Sequence, residues 1–273
     1  MRFGPYTFSD DAFPVIAGPC VIESERHVLR IAHLLAEAGT QLGLQLIFKA
    51  SFDKANRTSS QSYRGIPLED ALPIFRRIRE EVDLPVLTDV HTPDQPARLQ
   101  EVVDVIQIPA FLSRQTDMLT AAAETGLTVN VKKGQFLSPW EAGNIVDKLK
   151  EAGCDSFALT ERGTSFGYNN LVADMRVIPI IQELCAPVIF DATHSAQLPG
   201  IQGNQTGGMR QYVPAVARAA VAAGCDGLFL EVHDQPDKAL SDSATQWPFE
   251  HFESLMTDLL AFRKTYLETH RDD

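Results

Sequence analysis

The chain has little of what marks exported, membrane-spanning or nucleic-acid-binding proteins. Its 273 residues include only 4 cysteines, far apart and without a C-x-x-C pair, which argues against a disulfide framework or a zinc finger. No apolar run approaches the roughly 18 residues of a membrane-spanning helix, and the N-terminus lacks a signal-peptide pattern. The net charge of −12 argues against a basic nucleic-acid-binding surface. We therefore expect a soluble, cytoplasmic protein with no nucleic-acid or membrane partner.

Short apolar runs alternate with amphipathic stretches along the whole chain. We predict eight strands, at 13–18, 45–50, 85–90, 103–108, 128–132, 156–160, 187–191 and 227–232. Helical patterns lie at 68–82, 115–125, 140–152, 170–184, 212–223 and 249–269. This alternation predicts an α/β fold, a single (β/α)8 TIM barrel over residues 1–273, a fold of about 250 residues. A doubly wound open sheet is the alternative, but no G-x-G-x-x-G follows the first strand.

Two helix-to-strand junctions share one motif, Ala-Gly-Cys-Asp, at 152–155 and 223–226. A helix end, a glycine turn and a strand repeated in this way are typical of a barrel. The motif places Cys154 and Cys225 at strand entrances, and we interpret both as structural.

Each predicted strand ends in polar or reactive residues. These residues include Cys20, Lys49, Asp89, Gln107, Lys132, Arg162, His194 and Glu231. The carboxyl ends of barrel strands converge on one face, where barrel enzymes have their active sites. The sequence therefore predicts an active site built from all of these ends.

Several cations belong to this predicted face. Lys49 and Lys132 end strands whose preceding residues are apolar, Arg162 follows another strand, and Lys54 and Arg57 lie on the loop after the second strand. Converging cations repel one another unless an anion lies among them. We therefore expect a ligand that carries phosphate or carboxylate, with bidentate pairing at Arg162.

A thiol, an imidazole and carboxylates at the same face form a candidate metal set. Cys20, His194 and Glu231 are separated too widely for a zinc-finger pattern, but a barrel would bring them together. Residue chemistry alone does not choose a further carboxylate among Asp234, Asp237 and Asp242.

The chain resembles the 3-deoxy-D-manno-octulosonate 8-phosphate synthases along nearly its whole length. The matching runs are residues 17–20, 48–57, 88–91, 107–112, 114–117, 130–135, 161–163, 190–195 and 229–233. The resemblance implies a barrel, usually tetrameric, that condenses phosphoenolpyruvate with D-arabinose 5-phosphate and water on the route to lipopolysaccharide.

The resemblance also implies residue roles. Phosphoenolpyruvate would be held by Lys49, Lys54, Gln107, Ala110, Lys132 and Arg162. Arabinose 5-phosphate would be held by Asn56, Arg57, Thr58, Asp89 and Arg114, the last reaching the phosphate in a neighbouring subunit's site. Thr58 stands where serine is more usual and keeps the hydroxyl.

The enzymes that the chain resembles fall into two classes that differ in their use of a metal. One class has Asn at the position of Cys20 and works without metal, whereas this chain resembles the metal-dependent class. It implies a divalent transition ion, with Zn, Fe, Mn, Co and Cd as candidates, held by Cys20, His194, Glu231 and Asp242. Our hypothesis for catalysis is that His194, or a water beside Asp242, moves the protons, with Lys132 as a third candidate.

Three rival functions stay open at this point. A related synthase that uses erythrose 4-phosphate typically carries Lys-Pro-Arg-Thr where this chain has Lys-Ala-Asn-Arg at 54–57. A Schiff-base aldolase would use Lys132 or Lys49 as its nucleophile. A non-catalytic sugar-phosphate binder would need the cations but not the metal set. Residues 200–211 are glycine-rich and polar, which suits either a mobile lid or a surface loop.

Overall fold

The computed structural model describes residues 1–9, 12–56, 62–202 and 205–270. The strands are β1 (Arg2–Phe3), β2 (Tyr6–Thr7), β3 (Pro14–Gly18), β4 (Gln45–Lys49), β5 (Val86–Asp89), β6 (Val105–Ile108), β7 (Thr128–Lys132), β8 (Phe157–Glu161), β9 (Thr164–Ser165), β10 (Leu171–Val172), β11 (Val188–Asp191), β12 (Gln197–Gln202), β13 (Gln205–Gly208), β14 (Gly227–His233) and β15 (Trp247–Pro248). The α-helices are α1 (Glu25–Leu42), α2 (Leu68–Arg77), α3 (Gln95–Leu99), α4 (Thr116–Ala123), α5 (Gly143–Glu151), α6 (Val177–Glu183), α7 (Val213–Ala222) and α8 (Phe252–Thr269).

Eight parallel strands close into a barrel in the order β3-β4-β5-β6-β7-β8-β11-β14. Closure comes from the pairing of β14 with β3, which sets Glu231 opposite Gly18, and of β11 with β14, which sets Asp191 opposite Phe229. The predicted (β/α)8 barrel is confirmed, and all eight predicted strands are present within a few residues of their expected bounds.

The strands bury both faces, and this divides the apolar side chains into two cores. The inner core lies inside the barrel and comprises Phe3, Ile16, Ile47, Leu87, Val105, Ala158, Ile189 and Phe229. Alternate residues of the same strands, such as Val15 and Ala17 beside Ile16, belong to the outer core. The period of two therefore divides each strand between the barrel interior and the surrounding helices.

The amino end of the barrel is closed by the β1–β2 hairpin. Phe3 is fully buried in the inner core, and the backbone N–H of Gly4 donates to Thr128 Oγ1 at 2.9 Å. Ser156 Oγ donates to the Arg2 carbonyl at 2.8 Å. With this end closed, the interior opens only at the carboxyl ends of the strands, among the described residues.

The prediction of a helix over residues 170–184 is wrong in its first half. Leu171 and Val172 form β10, which pairs antiparallel with β9, and α6 begins only at Val177. The side chain of Asp174 accepts a hydrogen bond from the Arg176 backbone N–H at 3.0 Å, so this segment turns before the helix starts.

The segment proposed as a lid or loop is a hairpin where the structure describes it. Its strands β12 and β13 pair antiparallel, and Gln197 lies opposite Gly208. The cysteines at the two strand entrances, Cys154 and Cys225, are buried as expected. None of the described helices is long and apolar enough to cross a membrane.

Gly18, at the end of β3, provides a test of barrel closure. Its φ is 155°, and a Cβ there would lie 2.0 Å from the Lys49 carbonyl oxygen on β4. We expect Gly18→Ala to combine backbone strain of about 1–3 kcal/mol with overpacking of about 1–3 kcal/mol. Gly153 is the matched control, because its φ is 78° and no neighbouring atom lies within 4 Å of the added Cβ. Urea unfolding should show a larger loss for Gly18→Ala, and equal losses would contradict this account.

Candidate active site at the carboxyl end of the barrel

A cavity of about 180 Å³ opens at the carboxyl ends of the barrel strands. Eleven of the predicted site residues line it: Lys49, Lys54, Asn56, Asp89, Gln107, Ala110, Lys132, Arg162, His194, Glu231 and Asp242. Cys20 is fully buried, and its Sγ lies 3.5 Å from Asp242 Oδ2. Arg114 is exposed and does not line this cavity, whereas Arg57 and Thr58 lie outside the described residues.

Two lysines share one carboxylate on the β14 side. Lys49 Nζ donates to Glu231 Oε1 at 2.8 Å and to the Cys20 carbonyl at 2.7 Å. Lys54 Nζ lies 3.8 Å from the same Glu231 oxygen. Burial alone would lower the pKa of Lys54, but the neighbouring Cys20, Glu231 and Asp89 raise it. Lys54 is therefore a permanent cation beside the cavity.

Lys132 occupies a different environment. Its ammonium pairs with Asp191 Oδ2 and lies 3.3 Å from the centroid of the Phe229 ring. Burial lowers the pKa of Lys132 to about 8, with Asp191 opposing the shift. Burial alone would raise the pKa of Asp191, but His194 and Lys132 hold it well below its usual range. This pair is an ammonium–carboxylate ion pair at neutral pH.

Arg162 has one hydrogen-bonded nitrogen and one unpartnered nitrogen. Nη2 donates to Gln197 Oε1 at 2.7 Å. Nη1 is buried and has no hydrogen-bond partner in the described part of the chain. A buried guanidinium N–H without a partner is costly, and an anion in the cavity would satisfy it.

Asp89 ends β5 and also lines the cavity. Burial would raise its pKa, but Lys54, His91 and Lys49 outweigh burial and lower the pKa to about 2. A carboxylate that stays ionised only accepts hydrogen bonds, which suits hydroxyl donors of a sugar. The predicted neighbour Asn56 also lines the cavity.

Three of the four predicted metal ligands form a compact group, and the fourth, His194, lies beside two of them. The ligand atoms of Cys20, Glu231 and Asp242 lie within 4.8 Å of one another. His194 Nε2 lies 3.7 Å from Glu231 Oε1 and 3.6 Å from Asp242 Oδ2. Asp242, which sequence chemistry alone could not select over Asp234 and Asp237, is the aspartate that lies in this group.

The surroundings of these four residues fit a divalent cation. Glu231 Oε2 is buried without a hydrogen-bond partner among the described residues. Burial would raise the pKa of the Glu231 carboxyl group, but Lys49 and His194 more than offset burial and lower that pKa. His194 Nδ1 lies 2.7 Å from Asp191 Oδ2, which directs Nε2 toward Glu231 and Asp242. A carboxylate behind a histidine is the usual support of a metal-binding imidazole. Sulfur, nitrogen and oxygen ligands together suit a transition ion.

Some contributors carried no clear sequence signal. Asp191 is the last residue of the strand predicted at 187–191, a position that indicates no specific role, yet it pairs with both Lys132 and His194. Gln197 follows three residues after His194 and contacts Arg162 and Asp242, but a lone glutamine in a loop pattern indicates nothing by itself.

Glu23 is a further missed residue, and it joins the two segments that carry Cys20 and Asp242. Glu23 Oε1 accepts a hydrogen bond from the Leu240 backbone N–H at 2.8 Å. The same oxygen lies 3.3 Å from His233 Nε2, and the Gln235 N–H donates to His233 Nδ1 at 2.9 Å. Glu23 therefore helps to hold the segment that carries Asp242.

Comparison with known proteins agrees with this architecture. The profile of the DAHP synthetase I family matches residues 6–265. Three proteins named 2-dehydro-3-deoxyphosphooctonate aldolase are similar to the chain. The one from Rhodopseudomonas palustris is 57% identical over 249 residues, 91% of this chain and 87% of its own length. Those from Nitrobacter winogradskyi and Brucella ovis are 55% and 53% identical, over 95% and 96% of this chain and 91% and 95% of their own lengths.

The aldolase name denotes the enzyme also called 3-deoxy-D-manno-octulosonate 8-phosphate synthase, so the resemblance seen in the sequence is confirmed. The match spans the barrel strands and the residues that line the cavity, from β2 into α8. The chain belongs to the DAHP synthetase I family.

Proposed function

We propose that the protein condenses phosphoenolpyruvate with D-arabinose 5-phosphate and water, giving 3-deoxy-D-manno-octulosonate 8-phosphate and inorganic phosphate. The observation that carries this proposal is the convergence of Lys49, Lys54, Lys132 and Arg162 on one cavity beside a thiol–imidazole–carboxylate set. Two phosphorylated substrates need such a concentration of positive charge. The names of the relatives support the same reaction.

The cations account for the phosphoenolpyruvate half of the site. Its phosphate and carboxylate would be bound by Lys49, Lys54, Lys132 and Arg162, with Gln107 and Ala110 lining the pocket. Asn130 on the neighbouring strand orients Gln107, because Gln107 Oε1 accepts a hydrogen bond from Asn130 Nδ2 at 3.0 Å. Arg162 Nη1, which has no hydrogen-bond partner among the described residues, would then donate a hydrogen bond to a phosphate oxygen.

The arabinose 5-phosphate half lies toward β4 and β5. Asn56 and Asp89 line the cavity there and would bind sugar hydroxyls. Arg57 and Thr58, adjacent to Asn56 in the chain, would contact the same substrate. In this proposal the aldehyde would lie near both the phosphoenolpyruvate cations and the proposed metal ligands.

The reaction forms a bond from C3 of phosphoenolpyruvate to the aldehyde carbon, adds water at C2 and breaks the C2–O bond to phosphate. Fixing two anionic substrates in one orientation removes much of the entropic barrier. The cations also offset charge on the departing phosphate. Lys132 has a pKa of about 8 and lies beside Asp191, so it can give a proton to that phosphate at neutral pH.

The ligand set proposed for a divalent transition ion is Cys20, His194, Glu231 and Asp242. When bound, the ion supplies Lewis acidity to the aldehyde oxygen. Burial raises the pKa of the Cys20 thiol, as do Asp242 and Glu231, so cation binding would release the thiol proton. His194, or a water held by Asp242, is proposed to move protons during addition at C2. Zn, Fe, Mn, Co and Cd all suit these ligands.

The proposed assembly is a homotetramer. Large aromatic side chains are exposed on the loops after β6, β7 and β8: Phe111, Phe136, Trp140, Phe166 and Tyr168. Trp140 is 67% and Tyr168 98% exposed in the single chain. Exposed apolar residues in such number favour a protein interface. Arg114 follows the same β6 loop, which supports its proposed role in a neighbouring subunit's site.

The first prediction from the proposed function concerns the metal. Chelation should abolish phosphate release from phosphoenolpyruvate that depends on arabinose 5-phosphate, and added Mn²⁺ or Zn²⁺ should restore it. Cys20→Ser should weaken metal binding by more than the roughly 10–100-fold expected for a residue behind a ligand. Cys154→Ser is the matched control, because Cys154 is buried at the amino end of β8. Full activity after chelation would make Cys20 an incidental thiol, and activity with erythrose 4-phosphate instead would favour the rival synthase.

The second prediction separates this reaction from Schiff-base chemistry. Borohydride added with either substrate should trap no adduct on Lys132 or Lys49, as measured by intact-protein mass spectrometry. Lys132 is protonated and paired with Asp191, and Lys49 is paired with Glu231, so neither amine is a free nucleophile. A mass increase equal to the reduced substrate would contradict the proposed mechanism.

The third prediction concerns Arg114. Arg114→Ala should raise the KM for arabinose 5-phosphate by about 10–100-fold, the value of a charge-assisted hydrogen bond, with the KM for phosphoenolpyruvate unchanged. If Arg114 serves a neighbouring subunit, co-assembly of Arg114→Ala chains with Lys132→Met chains should restore activity at low arabinose 5-phosphate, where neither variant alone is active. Absence of restored activity in verified mixed tetramers would contradict a role of Arg114 in a neighbouring subunit's site.

A further inference from the structure

Gln197 joins the proposed phosphoenolpyruvate site to the proposed metal ligands. It begins β12 and is 6% exposed. Its Oε1 accepts a hydrogen bond from Arg162 Nη2 at 2.7 Å, and its Nε2 donates to Asp242 Oδ2 at 3.2 Å. One neutral, planar amide therefore lies between a buried cation and a buried anion.

Only one orientation of this amide is compatible with its neighbours. Arg162 can only donate and an ionised Asp242 can only accept hydrogen bonds. Rotating the amide by half a turn would direct N–H groups at the guanidinium and the carbonyl oxygen at the carboxylate. The two charged groups therefore fix Gln197, and Gln197 in turn fixes the direction of each.

Arg162 and Asp242, the two partners of Gln197, can still bind a ligand in the cavity. Arg162 Nη1 has no hydrogen-bond partner among the described residues, so Gln197 occupies one guanidinium nitrogen and leaves the other for an anion. Asp242 has a φ of 47°, a left-handed conformation that needs support from its surroundings. Its Oδ2, held by Gln197, is also the oxygen that lies 3.6 Å from His194 Nε2.

The other proposed substrate cations, the lysines, contact the proposed metal ligands through ionised carboxylates. Lys49 and Lys54 share Glu231, and Lys132 reaches His194 through Asp191. Removing one of those carboxylates would leave a buried charge unpaired and would disturb folding. Gln197 makes the corresponding link for Arg162 without a charge, so it can be replaced with a smaller disturbance.

We propose that Gln197 is a positioning residue that couples phosphoenolpyruvate binding to divalent-ion binding. This inference rests on the proposed function, since it takes Arg162 as a phosphoenolpyruvate ligand and Asp242 as a metal ligand. An ion that fixes Asp242 also fixes Gln197 and, through it, the guanidinium, so phosphoenolpyruvate binds a prepared partner. By linkage, each ligand then raises the affinity of the other by the same factor.

The test measures four binding affinities by isothermal titration calorimetry, with protein from which metal has been removed by a chelator. Phosphoenolpyruvate is titrated with and without Mn²⁺, and Mn²⁺ with and without phosphoenolpyruvate, in the native chain and in Gln197→Met. Methionine approximates the length of glutamine and makes neither hydrogen bond. We expect a coupling factor of about tenfold or more in the native protein, within the usual range of allosteric couplings, and at least a fivefold smaller factor in Gln197→Met, equal in both directions.

Gln135→Met is the matched control. Gln135 lines the same cavity, and its Oε1 has no hydrogen-bond partner among the described residues, so its replacement should leave the coupling factor at the native value. Gln197→Ala is the second variant if Gln197→Met does not fold, as judged by its melting curve. A native coupling factor in the Gln197 variant, or a factor of one in the native protein, overturns the proposal while the proposed function stands. Failure of the native protein to bind phosphoenolpyruvate or Mn²⁺ overturns both.

Discussion

The cost of burying charge governs the carboxyl end of this barrel. Lys49 and Glu231 are no more than 1% exposed, and Lys132 and Asp191 are nearly as buried. An isolated charge in such a place would shift its pKa until it became neutral. Lys49 and Lys132 each pair with a carboxylate from another strand, and both of these carboxylates also face His194. The substrate cations and the proposed metal ligands are thus parts of one charge-balanced group.

This balance explains how an acidic protein can present a cationic cavity. A divalent cation held by Glu231 and Asp242 would compete with the lysines for the same carboxylate oxygens, and Lys49 and Lys54 would then be more available to an anionic substrate. Arg162 differs, because its contact to the metal set passes through the neutral Gln197. If the proposed ligands bind as inferred, this arrangement would favour the joint presence of cation and anion over either alone.

Much of the fold and of the site follows from the sequence because both depend on strand periodicity. Polar residues that end apolar runs had to meet at one end of a closed barrel, and Lys49, Asp89, Lys132 and Glu231 do so. What the sequence could not supply was pairing across the barrel. Asp191 looked like one more polar strand end. Its contact with Lys132 joins β11 to β7, two strands away, whereas its contact with His194 is local, three residues along the chain. The helix predicted from residue 170 failed for a similar reason, since Leu171 pairs with Ser165 in a local hairpin that helical periodicity does not register. The role proposed for Arg114 in a neighbouring subunit's site comes from the family resemblance alone, because Arg114 does not line the cavity of its own chain.

Adjacent charged residues at two strand ends have opposite roles, which residue type alone does not reveal. Lys132 and Arg162 line the cavity, whereas their chain neighbours Lys133 and Glu161 do not and are within 1% of full burial. Lys133 Nζ lies 3.3 Å from Glu161 Oε2 and donates to the Leu137 carbonyl at 3.1 Å, while Glu161 Oε1 accepts from the Gly163 N–H at 2.6 Å. Because side chains alternate along a strand, each pair of charges divides between the cavity and the scaffold. The Lys133–Glu161 pair thereby fixes the ends of β7 and β8, and the positions of Lys132 and Arg162 follow from that contact.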